Sequence, residues 1–233
     1  MLLLFDIDGT LVQRASREHA GALMQALHNV HGIATNTISR HGSAAGRTDG
    51  EIARLILLDA GVSAERIDER AADVREECCR LYASMCPADL SGLVVEGIPA
   101  TLDWLAGIEG VRLALLTGNF EPIARIKLRA AGIGHRFPQQ QGGFGSDSED
   151  RSMLPAIARR RAGESAGLGV SWPREETLVI GDTPRDIACA HADGVRCVAV
   201  TSGPFSGDAL TEADAVARSS AELRAELARL LGV

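Results

Sequence analysis

Two aspartates, Asp6 and Asp8, stand two residues apart at the end of an apolar run that begins at Leu2, and Gly9-Thr10-Leu11 follows them. In extended backbone that spacing puts both carboxylates on one side and Ile7 on the other. Anions so close repel each other and resist joint burial unless a cation or hydrogen-bond donors compensate, so the pair suggests a divalent ion. Gly9 permits a tight exit and Thr10 can bond back to the loop. Leu116-Thr117-Gly118-Asn119 ends a second apolar run with a hydroxyl and a closely approachable backbone amide, a grouping suited to a phosphate oxygen or an oxyanion. Ile180-Gly181-Asp182-Thr183-Pro184-Arg185-Asp186 adds a second carboxylate pair, Asp182 and Asp186, at a strand end and helix start. Ligands bind α/β sheets at that edge, so the three segments are expected to converge on one acidic, cation-seeking pocket.

The elements that must position these residues are legible as short apolar runs. Leu2 to Ile7, Val111 to Leu116, Thr177 to Ile180 and Cys197 to Val200 read as buried strands, and a further strand is expected near Gly143 and Phe144. They lack strict alternation, as strands do when helices cover both faces of a parallel sheet. Helical patterns follow at Glu121 to Ala131, stopped by Gly132, and at Pro184 to Asp193, stopped by Gly194. Residues 15–90 carry helical periodicity and no strand pattern, which predicts an inserted helical domain. Its stripes are Ala20, Leu23, Met24, Leu27 and Val30, then Ile52, Leu55 and Ile56 behind a Thr48/Glu51 capping pair, then Ile67, Val74, Cys78, Leu81 and Met85 behind Ser63. Ser219 with Glu222 opens the last helix, which turns Leu223, Leu227 and Leu230 inward.

Composition narrows the partners. The 233 residues hold 24 Lys and Arg against 31 Asp and Glu, a formal charge of −7, so no basic footprint for nucleic acid or an anionic membrane is present. At 3% aromatic residues there is no stacking platform for bases. The opening apolar run, cut by Asp6 and Asp8, is too short for a signal-peptide core or a membrane span, and a cytoplasmic protein is expected. Cys78, Cys79, Cys86, Cys189 and Cys197 lack paired or zinc-type spacing and read as reduced, mostly buried thiols. His19, His28, His31 and His191, with Trp104 and Trp172, read as packing or surface residues. Lys127 is the one lysine and no Gly-Lys-Ser/Thr occurs, which excludes a Walker-type loop and assigns phosphate contacts to arginine.

Asp6, Asp8, Gly9, Thr10 and Leu11 match the Asp-x-Asp-Gly-Thr-Leu motif of the haloacid dehalogenase superfamily, Thr117 its Ser/Thr motif, and Gly181, Asp182 and Asp186 its Gly-Asp-x-x-x-Asp motif. The order is the family's order, and the chain resembles that superfamily over nearly its whole length. The family's remaining basic residue falls to Arg151, ahead of Pro155 and the helix-like Ala156 to Arg161. Arg159, Arg160 and Arg161 compete for that role and otherwise form a solvated helix face. The resemblance implies a Rossmann-like, three-layer α/β core over 1–14 and 91–233, with 15–90 as a helical cap of the first type.

It also implies a mechanism. Asp6 attacks phosphorus to give an aspartyl-phosphate, and Asp8 acts first as general acid toward the departing alkoxide and then as general base on water. Magnesium is held by the carboxylates of Asp6 and Asp182 and the main-chain carbonyl of Asp8, with Asp186 on the ion or its water shell. Thr117, Gly118 and Arg151 bind the phosphoryl oxygens. Asp8 separates the reaction classes: dehalogenases of the superfamily work without the metal and lack this aspartate, and phosphonatases carry another residue there. The chain most resembles phosphoglycolate phosphatase-like enzymes, although Gln13-Arg14-Ala15 follows the first motif where those commonly show an Asp-Ser pair. Arg47, in Gly46-Arg47-Thr48-Asp49 at a helix entrance, is expected to meet an anionic group of the substrate; like Arg14, it reads otherwise as a surface arginine. The expected function is magnesium-dependent hydrolysis of a small phosphorylated metabolite by a monomer or homodimer. The alternatives are a β-phosphoglucomutase-like sugar phosphomutase and a non-catalytic binding protein on the same fold.

Overall fold

A computed structural model describes residues 1–13, 15, 17–34 and 44–233. Arg14, the expected end of the first core segment, lies outside the described residues. The chain runs β1 (Leu2–Phe5), α1 (Arg17–His31), α2 (Asp49–Asp59), α3 (Ala64–Met85), α4 (Ile98–Ala106), β2 (Arg112–Thr117), α5 (Glu121–Ala130) and β3 (Gly143–Phe144). It continues through α6 (Leu154–Ser165), β4 (Thr177–Gly181), α7 (Pro184–Ala192), β5 (Arg196–Val200), β6 (Ala215–Ala217) and α8 (Ser220–Leu231).

The strands form one parallel sheet in the order β3-β2-β1-β4-β5-β6. Alternation sorts β1 between two apolar layers. Leu3 and Phe5 pack with Leu102, Leu128 and Leu223 on one face, and Leu2 and Leu4 pack with Leu154, Ala158 and Ile187 on the other. Because both layers are apolar, the strands are apolar throughout, which is why no alternation marks them in the sequence. β1 lies between β2 and β4, so the ends that carry Asp6, Thr117 and Asp182 are neighbours by register: Phe5 pairs with Leu115 and with Ile180.

Helices α1, α2 and α3 build a third apolar cluster, which Phe120 and Ile123 at the start of α5 join. Thr48 caps α2 by accepting from the Glu51 amide, and Ser63 caps α3 by accepting from Arg66. The buried faces differ in detail from the periodicity reading. α1 buries His19, Ala22, Leu23, Ala26 and Leu27, whereas Ala20 is exposed, because the helix turns His19 toward Asp49 of α2. On α3 the large ring of Tyr82 takes the buried place assigned to Leu81 and Met85. Arg159 is not a solvated residue: it is buried on α6, where Nε and Nη2 donate to the Asp193 carboxylate at 2.7 and 2.9 Å. The three-residue β6 was too short to read as a run.

Candidate active site

β1 stops at Phe5, yet the Asp6 amide still donates to Ile180 O at 2.9 Å, which carries the extended backbone into the site. Asp6 is buried and Ile7 points into the opposite apolar layer, as the spacing required. The chain then turns at Gly9, whose φ is +91°; a side chain there would be strained and its Cβ would lie 2.2 Å from Asp182 Oδ2. Thr10 Oγ1 donates to Asp182 Oδ1 at 3.0 Å, so the first and last motifs are tied together.

Arg151 sits on a 3-10 turn, Arg151–Met153, capped by Asp150. Its Nη2 donates to Asp6 Oδ1 at 3.1 Å and also to Asp186 Oδ1. Asp186 is the third residue of α7, and its Oδ2 accepts from the Thr183 amide and hydroxyl at 2.9 and 2.7 Å in a capping box. The Asp186 carboxylate is therefore engaged on both sides, by Arg151 and by the helix start.

Asp8 faces the cavity from a partly exposed position. Lys127 Nζ donates to both of its carboxylate oxygens at 2.7 Å and to Asn119 Oδ1 at 2.8 Å. Asn119 Nδ2 in turn donates to Asp8 Oδ2 at 2.9 Å and to Thr117 Oγ1 at 3.0 Å. Thr117 is fully buried, and Gly118 and Asn119 are the members of that loop on the cavity wall. The cavity, about 640 Å³ among the described residues, also takes in Asp6, Asp8, Asp182, Arg151 and Arg47. Arg47 Nη1 donates to Glu51 one turn along α2.

Three residues in or behind this wall were missed or misread in the sequence. His19, expected as a packing residue, lines the cavity with Nε2 3.1 Å from Asp49 Oδ2. Asp49 Oδ2 also accepts from the Phe120 amide at 2.7 Å, and its own amide donates to Gly118 O at 2.8 Å, so the start of α2 rests on the loop after β2. Lys127, set aside as a lone lysine, is fully buried. Its signal was present: it shares the apolar stripe of Ile123, Ala124 and Leu128, where a charge demands a partner.

The electrostatics favour a cation. Asp6, Asp182 and Asp186 each offer an oxygen, all within 4.8 Å of one another. Burial, then repulsion from Asp186 and Asp8, holds Asp6 above the usual carboxylate range despite Arg151. Burial and the charges of Asp6 and Asp186 raise Asp182 likewise. For Asp8 burial also opposes ionisation, but the Lys127 and His19 charges and the hydrogen bonds from Lys127 and Asn119 together hold the carboxyl below the usual range. Two cations, Arg151 and Lys127, face four carboxylates, and the two remaining negative charges are what one divalent ion neutralises. Among the described residues Asp182 Oδ2 is buried without a hydrogen-bond partner, and an all-oxygen donor set suits a hard cation such as magnesium.

The raised acids carry a sign for stability. Asp6 and Asp182 hold protons in the folded chain at pH values where the unfolded chain has lost them, so their contribution is full below the ordinary carboxylate range and is lost as pH rises toward neutrality. In chelator, the thermal midpoint is expected to fall over that interval and to fall less in Asp182→Asn. Equal slopes in the two proteins would contradict it.

A six-stranded parallel sheet with acidic strand ends and a basic residue between them defines a class. The chain belongs to the haloacid dehalogenase-like hydrolases, whose sequence profile matches residues 3–191. Within that family it is a phosphatase-like hydrolase: it is 31% identical over 208 residues to a phosphoglycolate phosphatase of Rhodospirillum rubrum, covering 86% of this chain and 79% of that protein. A phosphoglycolate phosphatase of Pectobacterium atrosepticum is also 31% identical over 208 residues, covering 89% and 83%. Among solved structures, a β-phosphoglucomutase of Clostridium difficile superposes with a TM-score of 0.68 over 99% of this chain and 96% of that one at 20% identity, a likeness of fold. No helix among the described residues is long and apolar enough to cross a membrane.

Proposed function

We propose that the protein is a magnesium-dependent phosphatase that hydrolyses a small phosphomonoester, phosphoglycolate first among candidates, through an aspartyl-phosphate on Asp6. The observation that carries this reading is the buried cluster of Asp6, Asp182 and Asp186 with Arg151 set among them, open to a cavity that Asp8 also faces.

In the first step an Asp6 carboxylate oxygen bonds to phosphorus as the ester P–O bond breaks, and the leaving alkoxide takes a proton from Asp8. In the second, Asp8 takes a proton from water as its oxygen bonds to phosphorus, and the P–O bond to Asp6 breaks to release inorganic phosphate. Arg151, the Gly118 amide and the Thr117 hydroxyl are assigned to the phosphoryl oxygens, where preorganised donors lower the barrier. The carboxylates of Asp6 and Asp182 and the carbonyl of Asp8 would hold magnesium, with Asp186 at its water shell. When bound, the ion supplies charge neutralisation between two anionic reactants. Arg47 is assigned to an anionic group on the substrate, and residues 15–90 act as a cap over the core of 1–14 and 91–233.

The test is phosphate release from a panel of phosphoglycolate, sugar phosphates and nucleotides, with and without magnesium. Release that disappears in chelator and returns with magnesium is expected; no release from any ester by a folded, magnesium-saturated protein would sink the reading. A bisphosphate-primed isomerisation in its place would make the protein a mutase. Gly203 supplies an independent check on the ion. A Cβ there would lie 1.7 Å from Asp182 Oδ2, so Gly203→Ala displaces the ligand without touching its charge. Magnesium affinity, measured by calorimetry, is expected to fall about 10–100-fold, the usual cost of disturbing a ligand's support.

A further inference from the structure

We propose that Lys127 is the positioning residue for the acid/base side chain: it clamps Asp8 from the buried side, so that the Asp8 carboxyl group stands at the ester oxygen, which takes its proton from the protonated form of Asp8. The proposal rests on the phosphatase reading above and adds to it a residue that none of the sequence motifs contains.

Three observations carry it. Lys127 is fully buried, and the three protons of its ammonium have three acceptors, Asp8 Oδ1 and Oδ2 at 2.7 Å and Asn119 Oδ1 at 2.8 Å. Asn119 closes the ring by donating to Asp8 Oδ2 at 2.9 Å, so the carboxylate is gripped by donors from two directions while its other side opens on the cavity. A charge this deep on an apolar helix stripe is a poor device for stability, since a well-packed apolar side chain there would serve the fold as well.

The third observation is the residue type. Every other Lys/Arg position in the chain is arginine. The exception falls where three acceptors surround one point, which a compact ammonium satisfies and a planar guanidinium fork does not. Asp8 is anchored at the phosphoryl-transfer site by β1, but its side-chain rotation is not; Lys127, carried by α5, removes that freedom. Lys127 itself touches no substrate atom in this scheme.

The consequence is selective. Misplacing Asp8 harms the departure of an alcohol that needs a proton and spares an aryl oxide that leaves without one. The experiment compares kcat/KM, which reports the steps through alcohol departure, for phosphoglycolate and for 4-nitrophenyl phosphate in wild type, Lys127→Met and Lys127→Arg. Both variants are expected to lose on the order of 100-fold on the alkyl ester, the lower end of what a positioned acid contributes, and less than about 10-fold on the aryl ester. Equal losses on both esters would overturn the proposal and make Lys127 structural. Retained activity on both in Lys127→Met would overturn it as well. If Lys127→Met does not fold, Asn119→Ser removes one grip without stranding the lysine charge and is expected to give the same split at smaller size. Wild type that turns over neither ester refutes the phosphatase reading instead, which keeps the two failures apart.

Discussion

Asp6→Asn is expected to lower turnover by on the order of 10⁴-fold or more while making the metal-free protein more stable. The amide keeps the shape of the carboxylate but cannot serve as an anionic nucleophile, and losing the nucleophile of a covalent mechanism leaves only binding and electrostatic assistance. The stability gain has a separate cause. Burial raises Asp6 first, and repulsion from Asp186 and Asp8 adds to it. Neutralising it relieves that repulsion, although the Arg151 contact to Asp6 weakens. Phosphate release and the thermal midpoint in chelator check the two halves. Asn at this position with more than about a tenth of wild-type activity would rule out Asp6 as nucleophile, and a large fall in stability would make it a structural residue.

Arg151→Met is expected to reduce both stability and rate. The guanidinium bridges Asp6 and Asp186, and Arg151 is only 7% exposed, so its loss strands two carboxylates in a site already short of positive charge. Breaking a buried pair by removing one partner typically costs about 3–5 kcal/mol, and removing a donor aimed at developing charge typically costs about 10²–10³ in kcat. Magnesium neutralises part of the stranded charge, so the denaturant midpoint is expected to recover with the ion while the rate does not. Both contacts come from one nitrogen, Nη2, so Arg151→Lys keeps the charge but, on a shorter side chain that must reach the same point, is expected to restore only part of the stability and rate. Full recovery of rate by the lysine variant would show that only charge matters at this position.

Much of the frame is legible in the sequence. β1, β2, β4 and β5 fall within two residues of the apolar runs, and the Thr48, Ser63 and Ser219 caps form as their spacing suggests. Capping and strand burial depend on neighbours a few residues away, so the information is local. The Asp6, Asp182 and Asp186 convergence was legible for a similar reason, since parallel strands deliver their ends to one edge. Faces of helices were less legible. His19 replaces Ala20 on α1, and Tyr82 replaces Leu81 on α3, because which stripe is buried depends on the partner helix.

The order of residues alone brings four acids and a basic residue to the end of a parallel sheet and inserts a helical segment after the first two acids. Residue type and spacing suffice for that, because each motif is short and each strand is apolar on both faces. How the charges are shared depends on the tertiary packing. It gives Arg151 to Asp6 and Asp186, Lys127 to Asp8, and leaves one oxygen of Asp182 buried and without a partner among the described residues. Lys127 and Asp8 are separated by 119 residues, and Arg151 and Asp6 by 145. Pairings over such distances follow from which helix packs on which strand, and the Coulomb energy that makes them matter is strong only once the fold has removed the water.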